Sequence, residues 1–298
     1  MFGILNVNKP AGVTSREVVN IVQGLVYPSK CGHAGTLDPL ARGVLIVCVG
    51  PATRLIEYVQ RMPKEYRGSF LLGRRSDTED ITGMVVELAD PPRPTRAEVE
   101  AMLPKFVGDI KQRPPIYSAK KVRGRRAYKL ARAGKRPRLA ERDIQIHSLD
   151  LVSYEYPELQ LDVTCGSGTY VRSLGRDIGQ SLGSAAVMST LVRTAIGPFR
   201  VNDAVDPEAL NRSNCGEFLI DAVEAVATLP QVRLSADEEQ RISHGMGIER
   251  EDIVPAGEFA AVTDHGRLVA ILAPRGGTTL GPARYFPPEE AQDKHSVS

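Results

Sequence analysis

Three stretches of this chain hold side chains in arrangements able to do chemistry. The first is a loop, Gly32-His33-Ala34-Gly35-Thr36-Leu37-Asp38-Pro39-Leu40-Ala41-Arg42-Gly43. Its glycines allow backbone conformations that other residues avoid, and Pro39 stiffens the chain just after Asp38. A carboxylate held this way is able to act as a nucleophile or base. It is equally an ordinary turn aspartate bonding its own backbone, and spacing alone favours the turn. His33 taken alone reads as a structural histidine.

The second stretch is basic. Lys111, Arg113, Lys120, Lys121, Arg123, Arg125, Arg126, Lys129, Arg132, Lys135, Arg136 and Arg138 follow one another with no acid before Glu141. Tyr117 and Tyr128 sit among them. Clustered cations release counterions from a phosphate backbone, and aromatic rings offer stacking faces. A solvated charged face is the bland alternative, and the lack of any acid makes it the weaker one. The third stretch is Thr169-Tyr170-Val171-Arg172. It opens a helix, and such a helix start can hold a phosphate. The Gly-Lys-Ser/Thr ending of a nucleotide-binding loop is missing. A buried Arg172 needs an acidic partner, so a structural salt bridge and a site role both stand. Leu191 reads as core.

These residues need elements to position them. Thr14-Ser15-Arg16-Glu17 reads as a capping box, and Val18, Val19, Val22 and Leu25 continue at helical spacing. Val44 to Val49 is a continuous apolar run, which predicts a strand covered on both faces. A short helix is expected over 53–60. Strands are expected at 66–72, 84–88, 144–151 and 159–165, the last alternating Leu159, Leu161, Val163, Cys165. Thr95-Arg96-Ala97-Glu98 opens a helix to about 106, and helices are also expected at 169–181 and 216–227. Leu229-Pro230 reads as a domain boundary. Beyond it, Ser235-Ala236-Asp237-Glu238 caps a short helix, and Asp264-His265-Gly266 marks a hairpin. Residues 286–298 read as a disordered tail.

Bulk properties narrow the classes. The chain has 298 residues, 42% hydrophobic and 25% charged, with a net charge of +2. That is ordinary globular composition, so a basic surface has to come from local clustering. The four cysteines, Cys31, Cys48, Cys165 and Cys215, form no C-x-x-C pair, which argues against a zinc knuckle or a disulfide framework. Scattered thiols fit a reducing cytosol. The N-terminus lacks a basic region and an apolar stretch of signal-peptide type. No run approaches the roughly 20 apolar residues of a membrane helix. A cytoplasmic protein with no membrane contact is expected.

Read together, the segments resemble the TruB family of pseudouridine synthases from about residue 3 to about residue 200. Asn8-Lys9-Pro10 with Gly12 and Thr14-Ser15 is similar to the family's opening motif. Gly32 to Leu45 is similar to its catalytic loop without a gap. Lys64-Glu65-Tyr66 and the acidic turn Asp77-Thr78-Glu79-Asp80 follow. Gln112-Arg113-Pro114-Pro115, Tyr117 to Val122, Gly124 and Tyr128 resemble the family's RNA-gripping thumb. Gly168 to Leu174, and Leu191-Val192-Arg193-Thr194 with Gly197 and Phe199, are similar to two later motifs.

The resemblance implies an α+β fold. A mixed, mainly antiparallel central sheet is flanked by helices over 1–228, with the thumb at about 111–140. A small β-rich unit over 229–285 looks like a reduced PUA-type RNA-binding domain. The implied activity is isomerisation of the uridine at position 55, in the T loop of tRNA, by base flipping. The implied partner is the tRNA T-stem loop, with no metal or organic cofactor, no protein partner and a monomeric state. Asp38 takes the role of catalytic carboxylate, Arg172 its ion-pair partner, and Tyr66 the stacking residue whose hydroxyl is placed for proton transfer. Tyr170 and Leu191 become pocket wall, His33 lies on the path of the flipped nucleotide, and Lys9 supports the site. Lys120, Lys121, Arg125 and Arg126 grip RNA. Two alternatives stay open: the catalytic subunit of a guide-RNA-directed synthase, and an RNA-binding protein that folds tRNA. Start close to the first motif and a short C-terminal unit favour the stand-alone enzyme.

Overall fold

The computed structural model describes residues 1–118, 139–252 and 256–288, together with the backbone of 121–122 and 125–126. The apolar run at 44–49 becomes strand β3 (Arg42–Val49), and its alternation explains its composition. Val44, Ile46 and Cys48 point into one core, while Leu45, Val47 and Val49 point into another. Strands β1 (Gly3–Lys9) and β2 (Cys31–His33) flank it antiparallel. The capping box at Thr14 and Glu17 forms, and helix α1 (Ser15–Val26) lays Val18, Val19, Val22 and Val26 on the Leu45 side.

The rest of the main sheet is a separate antiparallel run. It comprises β4 (Lys64–Leu72), β7 (Gly108–Gln112), β10 (Arg142–Glu155), β11 (Glu158–Cys165) and β12 (Ala186–Ile196). The order is β1-β3-β12-β4-β11-β10-β7, with β13 (Phe199–Arg200) added on β12. Leu159, Leu161, Val163 and Cys165 all face one core, as their alternation predicts. Helix α4 (Val171–Ser181) covers that core with Leu174 and Ile178. The sheet is therefore mixed and mainly antiparallel, as expected.

The two halves meet at one short parallel seam, where Val192 pairs with Arg42 and Arg193 with Gly43. Gly43 has φ +101°, and a Cβ there would fall 2.2 Å from the Arg193 carbonyl oxygen. Strand backbone cannot yield without opening the seam. Gly43→Ala is therefore expected to cost at least about 2 kcal/mol. Urea unfolding should show a lower midpoint at unchanged slope; a midpoint equal to that of the parent protein would refute this account of the seam.

Several expected elements differ. The strand expected at 84–88 shrinks to β6 (Val86–Glu87), paired with β5 (Arg74–Arg75). The helix expected at 53–60 is a 3-10 turn, Gly50–Leu55, continued by α2 (Ile56–Arg61). The helix expected to run to 106 is α3 (Arg96–Met102), finished by a 3-10 turn. Residues 216–227 hold only a 3-10 turn, Ala222–Val226, rather than a helix. In the basic segment, β8 (Lys121–Val122) and β9 (Arg125–Arg126) pair as a small hairpin. Lys120 and the side chains of Lys121, Arg125 and Arg126 lie outside the described residues.

The second sheet orders β14 (Gln231–Arg233), β16 (Phe259–Val262), β17 (Leu268–Gly276), β18 (Thr279–Tyr285) and β15 (Ile248–Glu249). Helix α5 (Ala236–Ser243) starts at the expected capping box. The core does not break at Leu229-Pro230. Ala260, Val262, Leu268 and Ile271 share one apolar cluster with Ile4, Ile46, Tyr58 and Val226. Phe286, placed in the tail by the sequence reading, is fully buried and stacks on Phe2 with ring centroids 5.4 Å apart. The remaining tail, 289–298, lies outside the described residues.

Candidate active site

The loop carrying Asp38 leaves β2 and re-enters at the parallel seam, and it is tied down on both sides of the aspartate. Leu37 N–H donates to Ser15 Oγ at 2.9 Å, and Gly12 N–H donates to the Pro39 carbonyl at 2.8 Å. Lys9 Nζ reaches the carbonyls of Pro10, Val13 and Pro39 at 2.8, 2.6 and 3.4 Å. Arg193 donates to the Val44 carbonyl at 2.7 Å and to the Gly35 carbonyl at 3.2 Å, bracketing the loop from below.

The Asp38 carboxylate does not serve its own turn. Arg172, from the first turn of α4, sets Nε 2.9 Å from Oδ2 and donates from Nη2 to Oδ1 at 3.3 Å. The two side chains are 6% and 37% exposed, so the arginine is sealed in while the carboxylate faces an opening. Nη1 of the same arginine donates to Asp80 Oδ2 at 3.1 Å and to the Thr78 carbonyl at 2.7 Å. Nη2 also donates to the Tyr117 carbonyl at 3.1 Å. The guanidinium is thus held by a second, buried carboxylate and by two carbonyls before it meets Asp38. Asp80 is in turn bonded by Thr78, and by the amide and hydroxyl of Thr82.

Burial pushes the Asp38 carboxyl above its ordinary range. Arg172 pulls it down, and Asp80 adds a smaller upward push. Burial also lowers Lys9 and Lys64 to about 8. Lys9, Lys64 and Arg193 are all buried, and the hydrogen bonds named for them go to backbone carbonyls. Of these, Lys9 lies close enough to Asp38 to favour its charged form, and Arg193 acts on Lys9 in turn, so positive charge stands beside that carboxylate.

The other expected site residues have these places in the fold. Tyr66 lies on β4 directly opposite Arg193, and its neighbour pair is Gly68 with Leu191. Leu191 belongs to the apolar cluster that also holds Leu37 and Ala41, Tyr66 packs against that cluster, and the Asp38 charge acts on the Tyr66 phenol. Burial raises the Tyr66 phenol, and Arg193 opposes that shift. Tyr170 is the residue before α4. His33 ends β2, and its Nδ1 is buried without a hydrogen-bond partner among the described residues. Burial and then Arg16 lower its pKa, favouring the neutral ring.

Three residues were not singled out for the site from sequence. Asp80 and Arg193 sit inside motifs that were noticed, but nothing in their spacing says what they touch. Gln112 is buried and clamps Tyr170 by both backbone groups, accepting from its N–H at 2.9 Å and donating to its carbonyl at 3.0 Å. A buried glutamine at the edge of a basic segment was the available signal.

Known proteins similar to this chain extend over most of its length. Residues 23–171 match the family described as TruB family pseudouridylate synthase, N-terminal domain. The chain is 40% identical over 293 residues to a protein of Synechocystis named tRNA pseudouridine synthase B, covering 95% of this chain and 98% of that one. A protein of the same name from Thermosipho melanesiensis is 43% identical over 245 residues, covering 82% and 80%. Among solved structures, a chain from a Cbf5–Nop10–Gar1 complex superposes with a TM-score of 0.75 at 25% identity, covering 97% of this chain and 86% of that one. The fold, the loop with its paired arginine, and these likenesses over nearly the whole length lead to one assignment: the chain belongs to the TruB family of pseudouridylate synthases.

Proposed function

We propose that this chain isomerises the uridine at position 55 of tRNA to pseudouridine, acting alone on the T-stem loop. The observation that carries this reading is Asp38, held toward an opening by an arginine that is itself fixed from three other sides. The names of its relatives point to tRNA, and the basic segment suits an RNA backbone.

The reaction breaks the bond between C1′ and N1, turns the uracil, and joins C5 to C1′. The C5 hydrogen leaves as a proton and N1 gains one, so the product is an isomer. The target base is stacked in a folded loop and has to flip out, at a cost of a few kcal/mol. Asp38 acts at the ribose, as nucleophile at C1′ or base at C2′. A carboxylate suits a sugar centre with oxocarbenium character. Arg172 keeps it oriented and ionised. Tyr66 stacks on the flipped base and its hydroxyl takes part in the proton transfer from C5. Tyr170 and Leu191 wall the pocket and His33 borders the path of the nucleotide. Lys9 anchors the loop beside Asp38. The β-rich unit after Leu229 serves as a reduced PUA-like surface for RNA.

Tritium release from C5-labelled, unmodified tRNA by the purified chain tests the reading directly. Release without any guide RNA is expected, and its absence would overturn the proposal. Neutralising Lys120, Lys121, Arg125 and Arg126 together should lower the slope of log Kd against log salt by about 3. An unchanged slope would show that this segment does not contact the phosphates.

A further inference from the structure

Arg142 opens β10, at the point where the chain returns from the basic segment. The acids on either side of it are committed elsewhere: Glu141 pairs with Arg113 at 2.8 Å, and Asp143 with Lys111 at 3.1 Å. Arg142 itself has no such partner. Among the described residues nothing accepts a hydrogen bond from its guanidinium, and Nε is buried and unpaired. Yet the group is not loose. Its carbon lies 4.6 Å from the centroid of the Tyr170 ring, in a cation–π stack. It also rests against Gly168, where φ is +91° and an added Cβ would come within 3.4 Å of the guanidinium carbon. Tyr170 is fixed in turn by Gln112, the register partner of Arg142 on β7. The first turn of α4, beginning next to Tyr170, has no side-chain cap.

A planar fork of donors, stiffened by two contacts and left without an acceptor among the described residues, is arranged for an anion that comes from outside. We propose that Arg142 binds a backbone phosphate of the RNA strand adjoining the nucleotide in the pocket, with the uncapped start of α4 adding its positive end. This rests on the reading of the chain as an RNA enzyme. The stack couples the two events. The ring that carries Arg142 belongs to a residue two positions from Arg172, so the phosphate grip and the catalytic pair are built on one turn. Arg142 is thus a binding and positioning residue.

The experiment is a cycle between one side chain and one charge. A T-arm oligonucleotide is made with a neutral methylphosphonate at each linkage flanking the target uridine in turn. Kd, KM and single-turnover rate are measured for the parent protein, Arg142→Gln and Arg142→Lys. Arg142→Gln should raise Kd and KM by on the order of tenfold, a larger effect than on the rate at saturation, and should lower the salt slope by about one. Arg142→Lys should restore the slope but only part of the affinity. At one linkage the methylphosphonate should weaken binding to the parent protein and leave Arg142→Gln unaffected. If no linkage shows that coupling, or if the salt slope is unchanged while the rate falls, Arg142 only props Tyr170 and the proposal is overturned. Failure of the parent protein to turn over the all-phosphate oligonucleotide would instead remove the RNA reading on which it stands.

Discussion

Asp38→Asn should lower the single-turnover rate by about four orders of magnitude while tRNA affinity stays within about threefold. The argument is geometric. The loop is held by Ser15, Gly12, Lys9 and Arg193, none of which bonds the carboxylate, so an amide can occupy the same place. What the amide lacks is the negative oxygen that the proposed reaction uses. The substitution removes one of the two carboxylates paired with Arg172 but leaves Asp80, so some stability is lost while the guanidinium keeps a charged partner. Burial of Asp38 sets the acid limb of activity. Asp38 is raised, so the ionised form is lost as pH falls through a point above the ordinary carboxylate range of about 4. In kcat/KM against pH, that limb should stand higher than for an exposed aspartate. Filter binding and tritium release, measured side by side, check the separation of binding from turnover. An asparagine variant with a tenth of parental activity would remove Asp38 from the chemistry.

Arg172→Lys is the second large effect, with an expected loss of about 100- to 1,000-fold in rate. A lysine keeps the charge. It cannot meet Asp38, Asp80 and the carbonyls of Thr78 and Tyr117 together, because those contacts need the planar fork. Breaking a buried pair costs roughly 3–5 kcal/mol, and here part of that loss falls on the orientation of the reacting carboxylate. Parental rates with lysine would mean that charge alone suffices. Comparison with Asp80→Asn separates the two functions of the arginine, since that change removes the buried charge facing Nη1 but leaves its bond to the Thr78 carbonyl and the contact with Asp38.

Much of this was legible in the residues themselves. The capping boxes at Thr14, Thr95 and Ser235 all formed, because each is a local exchange of hydrogen bonds within one turn. The doubly buried strand at 44–49 formed because its apolar run has no polar face to expose. Strand β12 was not foreseen, and its register explains why. Shifts between Met188 and Thr190 and between Arg193 and Ala195 break the two-residue period that a strand is read by. The site was legible as residues but not as contacts. Asp38 and Arg172 are 134 positions apart, and only the family resemblance set them together in advance. Spacing alone favoured the turn reading of Asp38; in the fold its carboxylate turns away from its own backbone to Arg172. At Leu229-Pro230 composition could not show that apolar packing continues across the position. Local composition marks a break, but β16 has Ala260 and Val262 facing the first core and Phe259 and Ala261 facing the second.

That shared cluster also sets an order in time. A chain leaving the ribosome has the Asp38 loop, α4 and the main sheet well before Phe286 emerges. Until then Phe2 lacks its stacking partner, and Ile4, Tyr58 and Val226 lack the cover that β16 and β17 provide. Phe286 alone removes apolar surface worth roughly 2–3 kcal/mol. The nascent chain therefore carries a complete set of site residues on an unfinished core, and the fold reaches its full stability only when Phe286 is in place.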